Sequence, residues 1–281
     1  MAKKKTKQTG NPAKNKQVGS QPKPSARVVK KLPPLAPGEQ RRVLHVGRGQ
    51  AKKEKLPPIF QTPEWHEIRL DINEKVNPHI VSDMLDMHVV ETGSMDGLFS
   101  SHNIEHLYPH QVPAALKEFG RVLKEGGMLV ITMPDLQTVA SYVAEGRLEE
   151  PLYTCPAGPI SPIDILYGWR KEVSEGNHFM AHKGGFTAKS LAGHLLNAGF
   201  SGIRVHREWV NLWAMAYRYP KDHPKFNPRV EVLPSNLRGS QGQKTPLWYE
   251  RQIQMAENPE ALTDALDVAP VHYKPVFGNP S

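Results

Sequence analysis

The 281-residue chain is predicted to fold as an α/β protein, a Rossmann-like, doubly wound sheet of seven mostly parallel strands. Three observations lead there. Short apolar runs alternate with stretches of helical period, the pattern that builds a parallel sheet through right-handed crossovers. The first run, Val43-Leu44-His45-Val46, breaks at Gly47-Arg48-Gly49. Glycine permits positive φ and lets the backbone approach a ligand with no Cβ in the way, so such a break opens a nucleotide-type site at the carboxyl ends of the strands. The second run ends in an acid, Asp71. It lies about two dozen residues past the glycines, near the spacing at which a carboxylate accepts hydrogen bonds from ribose hydroxyls.

The elements follow in order. Residues 43–46 form the first strand. Residues 51–56 have room for a helix of two turns at most, because Pro57 and Pro58 stop it. Strands two, three and four fall at residues 66–72, 79–83 and 97–101. A helix over residues 112–123 places Leu116, Phe119, Val122 and Leu123 on one stripe. Gly126-Gly127 ends that connection, and strand five runs to Met133. A helix from Leu136 to about Glu145 comes next. Residues 146–185 lack a period and carry Pro151, Pro156, Pro159 and Pro162 among Tyr153, Tyr167 and Trp169. So long an irregular stretch reads as a lid or binding loop. Thr187 caps a helix over Ala188–Asn197, and Gly199 stops it. Residues 203–206 and 211–218 read as the last two strands.

Composition divides the chain into three parts. Residues 1–37 are expected to be a disordered basic tail and linker, 38–219 the folded domain, and 220–281 a proline-rich extension. That extension has short helices at 245–257 and 259–267 and no second core. The net charge is +8, and residues 1–31 hold nine Lys and one Arg with no acid, so the excess belongs to the tail. Without apolar periodicity the tail cannot offset its ordering entropy. It suits loose, non-specific attachment to nucleic acid, ribosomes or anionic lipid, or simply keeps the chain soluble. No apolar run reaches the roughly 18 residues of a membrane span, and no apolar segment follows the basic start as in a secretory signal. The lone cysteine, Cys155, rules out an internal disulfide and a cysteine-based metal site. These features together predict a cytoplasmic protein.

The segments VLHVGRG, RLDI, SDMLDM, LFSSHNIEHL, KEFGRVLKEGGMLVITMPD and HKGGFTAKSLAGHLLNAGF resemble class I S-adenosylmethionine-dependent methyltransferases, the group often called type 11. The resemblance spans roughly Arg41 to Tyr219. It implies an antiparallel edge pair formed by the last two strands, and S-adenosylmethionine as cofactor. It also implies Gly47 and Gly49 at the cofactor, Asp71 at the ribose, Asp83, with Asp86 close by, at adenine, and Ser101 and His102 lining the methyl-donor pocket. His178 and His182 precede Gly184-Gly185-Phe186-Thr187, a stretch that resembles the family's substrate mouth. With His102 they are the candidate catalytic residues, since a histidine there could take a proton from an attacking oxygen or nitrogen. Two departures stand out: His45 occupies a place where many members have an acid, and Gln50 replaces a third glycine. No Asn/Asp-Pro-Pro-Tyr stretch follows strand four, which argues against methylation of exocyclic amines of DNA bases. The acceptor stays open among sugars of glycolipids, small metabolites, RNA and protein side chains.

Two other readings compete. A non-catalytic protein of the same fold would bind RNA or a protein partner through its basic tail. Alternatively, His102-Asn103-Ile104-Glu105-His106 has the form H-x-x-E-H. On one helix its histidines would share a face and hold zinc, with Glu105 as base and Glu172 or Glu175 as a third ligand. Against zinc, the segment directly follows a strand and Pro109 cuts it short. The preferred expectation is therefore a methyl-donor pocket that needs no metal.

Overall fold

The computed structural model describes residues 26–28, 34–49, 56–155 and 158–236. Gln50, the short helix expected over 51–56 except Leu56, most of the basic tail and the two helices expected after residue 244 lie outside the described residues.

One sheet organises the chain. Its strands are β1 (Arg27–Val28), β2 (Arg41–Val46), β3 (Trp65–Asp71), β4 (Ile80–Val81), β5 (Met95–Ser101), β6 (Leu123–Pro134), β9 (Ser201–Glu208), β10 (Asn211–Tyr217) and β11 (Val230–Asn236). They lie in the order β1-β4-β3-β2-β5-β6-β10-β9-β11. From β4 to β6 the neighbours are parallel, and β10 is antiparallel to both β6 and β9. The order winds both ways from the centre, through β3 and β4 on one side and β5 and β6 on the other. All seven expected strands are present, and two more extend the sheet.

Those two correct the expected boundaries. β1 lies in the tail read as disordered and pairs antiparallel with β4, while Arg27 forms an ion pair with Glu74. β11 lies in the extension read as coreless and pairs parallel with β9, so β9 and β10 are not the edge of the sheet. Val230 and Val232 carry the reason: they alternate with charged residues, and the first is buried against the main core while the second packs on it. Two apolar side chains on one face suffice once a neighbouring strand offers its hydrogen bonds.

The core sits mainly on one face. Helices α1 (Val112–Val122) and α5 (Ala188–Asn197) bury Leu116, Phe119, Leu191 and Leu195 against Leu44, Leu70, Leu98 and Ile131. On the other face, Val43, Phe99, Val130 and Met215 pack with Phe60 and Trp65, whose rings meet edge to face at 4.8 Å. Among the described residues no α-helix joins β2 to β3, β3 to β4 or β4 to β5; a 3-10 turn at Pro58–Phe60 precedes β3 and another at Glu74–Val76 precedes β4.

The α5 ends follow the sequence signals. Thr187 Oγ1 accepts from the Ser190 N–H, and Gly199, at φ +88°, closes the C-terminus as Phe200 N–H donates to Leu195 O. The 146–185 stretch is more ordered than its prolines suggest. It holds a hairpin of β7 (Tyr153–Cys155) and β8 (Gly158–Ile160), then α3 (Pro162–Tyr167) and α4 (Arg170–Ser174). A small core of Val139, Ile165 and Val210 ties it to α2 (Leu136–Ala144). Ser161 and Asp164 form a capping box that starts α3, a local signal that periodicity alone passes over.

His206 on β9 is buried, and burial pushes its imidazole down to about 4. The unfolded chain takes up a proton near pH 6.5, the folded chain only near 4. This contribution to stability is therefore complete above pH 6.5 and is lost as the pH falls toward 4. Over that window it amounts to on the order of 2–3 kcal/mol. Urea midpoints measured across the window should drop less steeply for His206→Gln than for the natural protein. Parallel curves would remove His206 from the pH response.

Candidate active site

The strand order reverses between β2 and β5, which places a crevice outside their carboxyl ends. Val46 lies in register between Leu70 and Ser100, and the chain then leaves the sheet at Gly47, whose N–H donates to Leu70 O. Both glycines of the turn have positive φ, 65° at Gly47 and 58° at Gly49. They differ in surroundings. Among the described residues a Cβ on Gly49 would meet nothing within 4 Å, so none of them closes that side of the turn. A Cβ on Gly47 would stand 2.0 Å from Asn103 Oδ1.

Asn103 is the clamp of the crevice, and no spacing or motif marks that role. Its Nδ2 lies 3.0 Å from Val46 O, 2.9 Å from Ser101 O and 3.1 Å from Ser100 Oγ. Two amide hydrogens serve three acceptors, so one bond is shared. The side chain thus ties the end of β2 to the end of β5. His102 just before it adopts φ 52°, a left-handed conformation that costs an ordinary residue about 1–2 kcal/mol.

Asp71 ends β3 beside the glycine turn and is 7% exposed. Its Oδ2 accepts from the Gly49 N–H at 2.8 Å and its Oδ1 from the Asn73 N–H at 2.8 Å. Each carboxylate oxygen has a further lone pair for a ligand hydroxyl. Glu67 supports the same turn from the strand below. Its Oε1 is 2.7 Å from His45 Nδ1 and 3.2 Å from Arg48 Nε. Burial pushes the Glu67 carboxyl up, but the hydrogen bond and charge of His45, with Arg48, bring it below its ordinary value. His45 therefore has a definite role here, fixing the carboxylate that holds the residue between the two glycines. Asp83 builds a turn after β4, its Oδ1 accepting from the Leu85 N–H at 3.0 Å. Asp86 is turned outward and pairs with the exposed His88.

Beyond β5 the chain forms a 3-10 turn over Ile104–His106, not the helix that the zinc-hydrolase reading requires. Glu105 is 1% exposed, and neither carboxylate oxygen has a hydrogen-bond partner. Three histidines surround it. His102 Nδ1 stands 3.2 Å from Oε1 with its side chain 47% exposed, a close approach without the alignment of a hydrogen bond. His106 and His182 meet edge to face at 4.8 Å. Burial favours the neutral acid, but His102, with His106 and His182, holds the Glu105 carboxyl below its usual value. Burial keeps His182 neutral by lowering its value further than the nearby Glu105 raises it. His102 Nδ1 is thus the side-chain nitrogen that stands against this carboxylate.

The structure brings Gly47, Gly49 and Asp71 together at one crevice, with Ser101 and His102 at the adjoining strand end. It brings His182 to His102 through Glu105. His178 does not join them: it lies on an exposed 3-10 turn, and His106 takes the place beside His182. Glu172 and Glu175 are also outside the group, Glu172 instead accepting from Asn177.

Residues 64–131 match a family model described as a methyltransferase domain. That match falls on the centre of the sheet, from β3 through β4 and β5 into β6. No curated protein matches the chain. Among solved structures it is similar to an S-adenosylmethionine-dependent methyltransferase from Methanosarcina mazei, at 17% identity over 65% of this chain and 94% of the other, with a TM-score of 0.44. A second such enzyme, from Archaeoglobus fulgidus, is 16% identical over 63% and 86%, with a TM-score of 0.42. Phosphoethanolamine N-methyltransferase 2 of Haemonchus contortus, in complex with S-adenosylmethionine, is 15% identical over 59% and 34%, with a TM-score of 0.38. No described helix is long and apolar enough to cross a membrane.

Proposed function

We propose that the protein transfers a methyl group from S-adenosylmethionine to an oxygen or nitrogen of a small-molecule or macromolecular acceptor. The observation that carries this reading is the glycine turn held by Asp71 at the point where the strand order reverses. The residues present fit the cofactor. Gly49 leaves an open side, and Asp71 keeps lone pairs for two ribose hydroxyls. In this reading Asp83, in the turn after β4, meets the adenine amine, and Ser101 and His102, at the end of β5, wall the methyl-donor end.

When bound, the cofactor supplies a methyl group on a positively charged sulfur that is already a good leaving group. What the chain must add is alignment of the acceptor with that methyl, at roughly 3 Å, and a place for the acceptor's proton. His102, half-exposed over the Glu105 carboxylate, takes that proton in this reading. His182, held neutral by burial, is the second candidate. His178 is assigned to the approach of the acceptor, on the exposed turn.

Calorimetry of the full-length protein with S-adenosylmethionine and with S-adenosylhomocysteine tests the reading. Binding of both is expected. Binding of neither would favour the non-catalytic alternative. The aromatic cover gives a second check. Tyr167 is 66% exposed, so Tyr167→Ala should change stability by no more than about 0.5 kcal/mol. If the ring meets the acceptor, turnover should fall several-fold with cofactor binding unchanged. Equal turnover per folded molecule would take Tyr167 out of the acceptor site.

A further inference from the structure

We infer that Glu105, His106 and His182 form a binding site for a divalent transition-metal ion of the zinc class. One ligand atom from each residue lies within 4.8 Å of those of the other two. An ion at the centre of such a triangle needs each atom to close by less than about 1 Å to reach zinc bond lengths of about 2.0–2.2 Å.

The tautomers favour it. His106 Nδ1 lies 3.1 Å from Ala181 O, and His182 Nδ1 lies 2.7 Å from Ile165 O. A carbonyl oxygen only accepts, so both Nδ1 atoms carry hydrogen and both rings have Nε2 left for a ligand. A ring nitrogen tied to a backbone carbonyl is the support that metal-binding histidines ordinarily have. Both backbone acceptors, Ala181 and Ile165, come from the 146–185 stretch, so that stretch orients the rings.

The carboxylate points the same way. A buried charge is costly unless it is paired and hydrogen-bonded or coordinates a metal. Neither Glu105 carboxylate oxygen has a hydrogen bond, and the ring nitrogen against it, His102 Nδ1, is half-exposed and poorly aligned. A divalent ion would supply the missing charge. Two imidazoles and one carboxylate leave a fourth tetrahedral position open, the arrangement of sites that take water or a substrate oxygen. This set differs from the H-x-x-E-H reading: Glu105 is a ligand rather than a base, His182 replaces His102, and no helix is needed. The site goes beyond the methyl-transfer reading and does not depend on it.

The test uses full-length protein stripped with EDTA, then titrated with Zn²⁺ by calorimetry and with Co²⁺ by visible absorption. One ion per chain is expected, with Co²⁺ bands of four-coordinate geometry and a Zn²⁺-dependent rise in melting temperature. Glu105→Gln and His182→Ala should each weaken Zn²⁺ binding by about tenfold or more. His88→Ala, on an outer turn, should leave it unchanged. Glu105→Gln removes the buried charge and keeps the shape, so it should fold, as a melt of the metal-free variant would show. No binding of either ion, or binding that both cluster variants retain, would overturn the site. Binding of S-adenosylhomocysteine to the same stripped protein separates the two ideas, because it should persist whether or not the metal site is real.

Discussion

Asp71→Ala should weaken S-adenosylmethionine binding about tenfold to a hundredfold and destabilise the fold at the same time. The first effect follows from losing charge-assisted hydrogen bonds to the ribose, worth roughly 1.5–3 kcal/mol. The second was invisible before the structure. Asp71 accepts the backbone N–H groups of Gly49 and Asn73, both at 2.8 Å, in a half-buried setting. Removing the carboxylate leaves two donors without their acceptor, at roughly 1–3 kcal/mol for each that water does not reach. Binding must therefore be measured by calorimetry on the folded fraction, beside a melt of the same sample. A lowered melting temperature with unchanged affinity would make Asp71 only the anchor of the glycine turn. Loss of affinity with little loss of stability would make the ribose contact its main role. Both effects together are expected, because one residue serves the turn and the ligand.

That double use shows where the sequence was readable. Strand ends and glycines are local signals, so Val46, Gly47, Gly49 and Asp71 could be placed from spacing alone, and the structure puts them side by side. The Thr187 cap and the Gly199 stop are equally local. Contacts between distant segments carry no such mark. Asn103 reaches Val46 across 57 positions, and the Ile165 carbonyl that orients His182 lies 17 residues before it. The same holds for Asp135, fully buried, which starts α2 and receives Arg207 Nε at 2.7 Å from β9. The H-x-x-E-H pattern is visible in the sequence, and the preceding strand and Pro109 already argue against a helix there. Its residues occupy a turn, so helical i, i+4 spacing does not apply and Glu105 faces inward instead. β11 was missed for a different reason: proline and polar residues around it hid a two-residue apolar alternation.

Gly47 and Gly49 look equivalent in sequence, and their alanine variants should behave differently. Gly47→Ala incurs two costs. An alanine at φ 65° is strained by about 1–2 kcal/mol. Its methyl would also stand 2.0 Å from Asn103 Oδ1, so the amide must leave. The carbonyls of Val46 and Ser101 then lose the donor that joins β2 to β5, at roughly 1 kcal/mol or more for each bond. A total loss on the order of 3–5 kcal/mol is expected, read from urea unfolding. Gly49→Ala has the strain at φ 58° but meets none of the described residues within 4 Å, so its loss should stay near 1–2 kcal/mol. Its methyl points into the open side of the turn, where the cofactor is proposed to lie, so affinity should fall more than stability does. Asn103→Gly should recover part of the Gly47→Ala loss, because it removes the clash while the backbone strain persists. Equal stability for the two alanine variants would show that Asn103 does not clamp the turn. Unchanged cofactor affinity in Gly49→Ala would show that the open side is not where the cofactor sits.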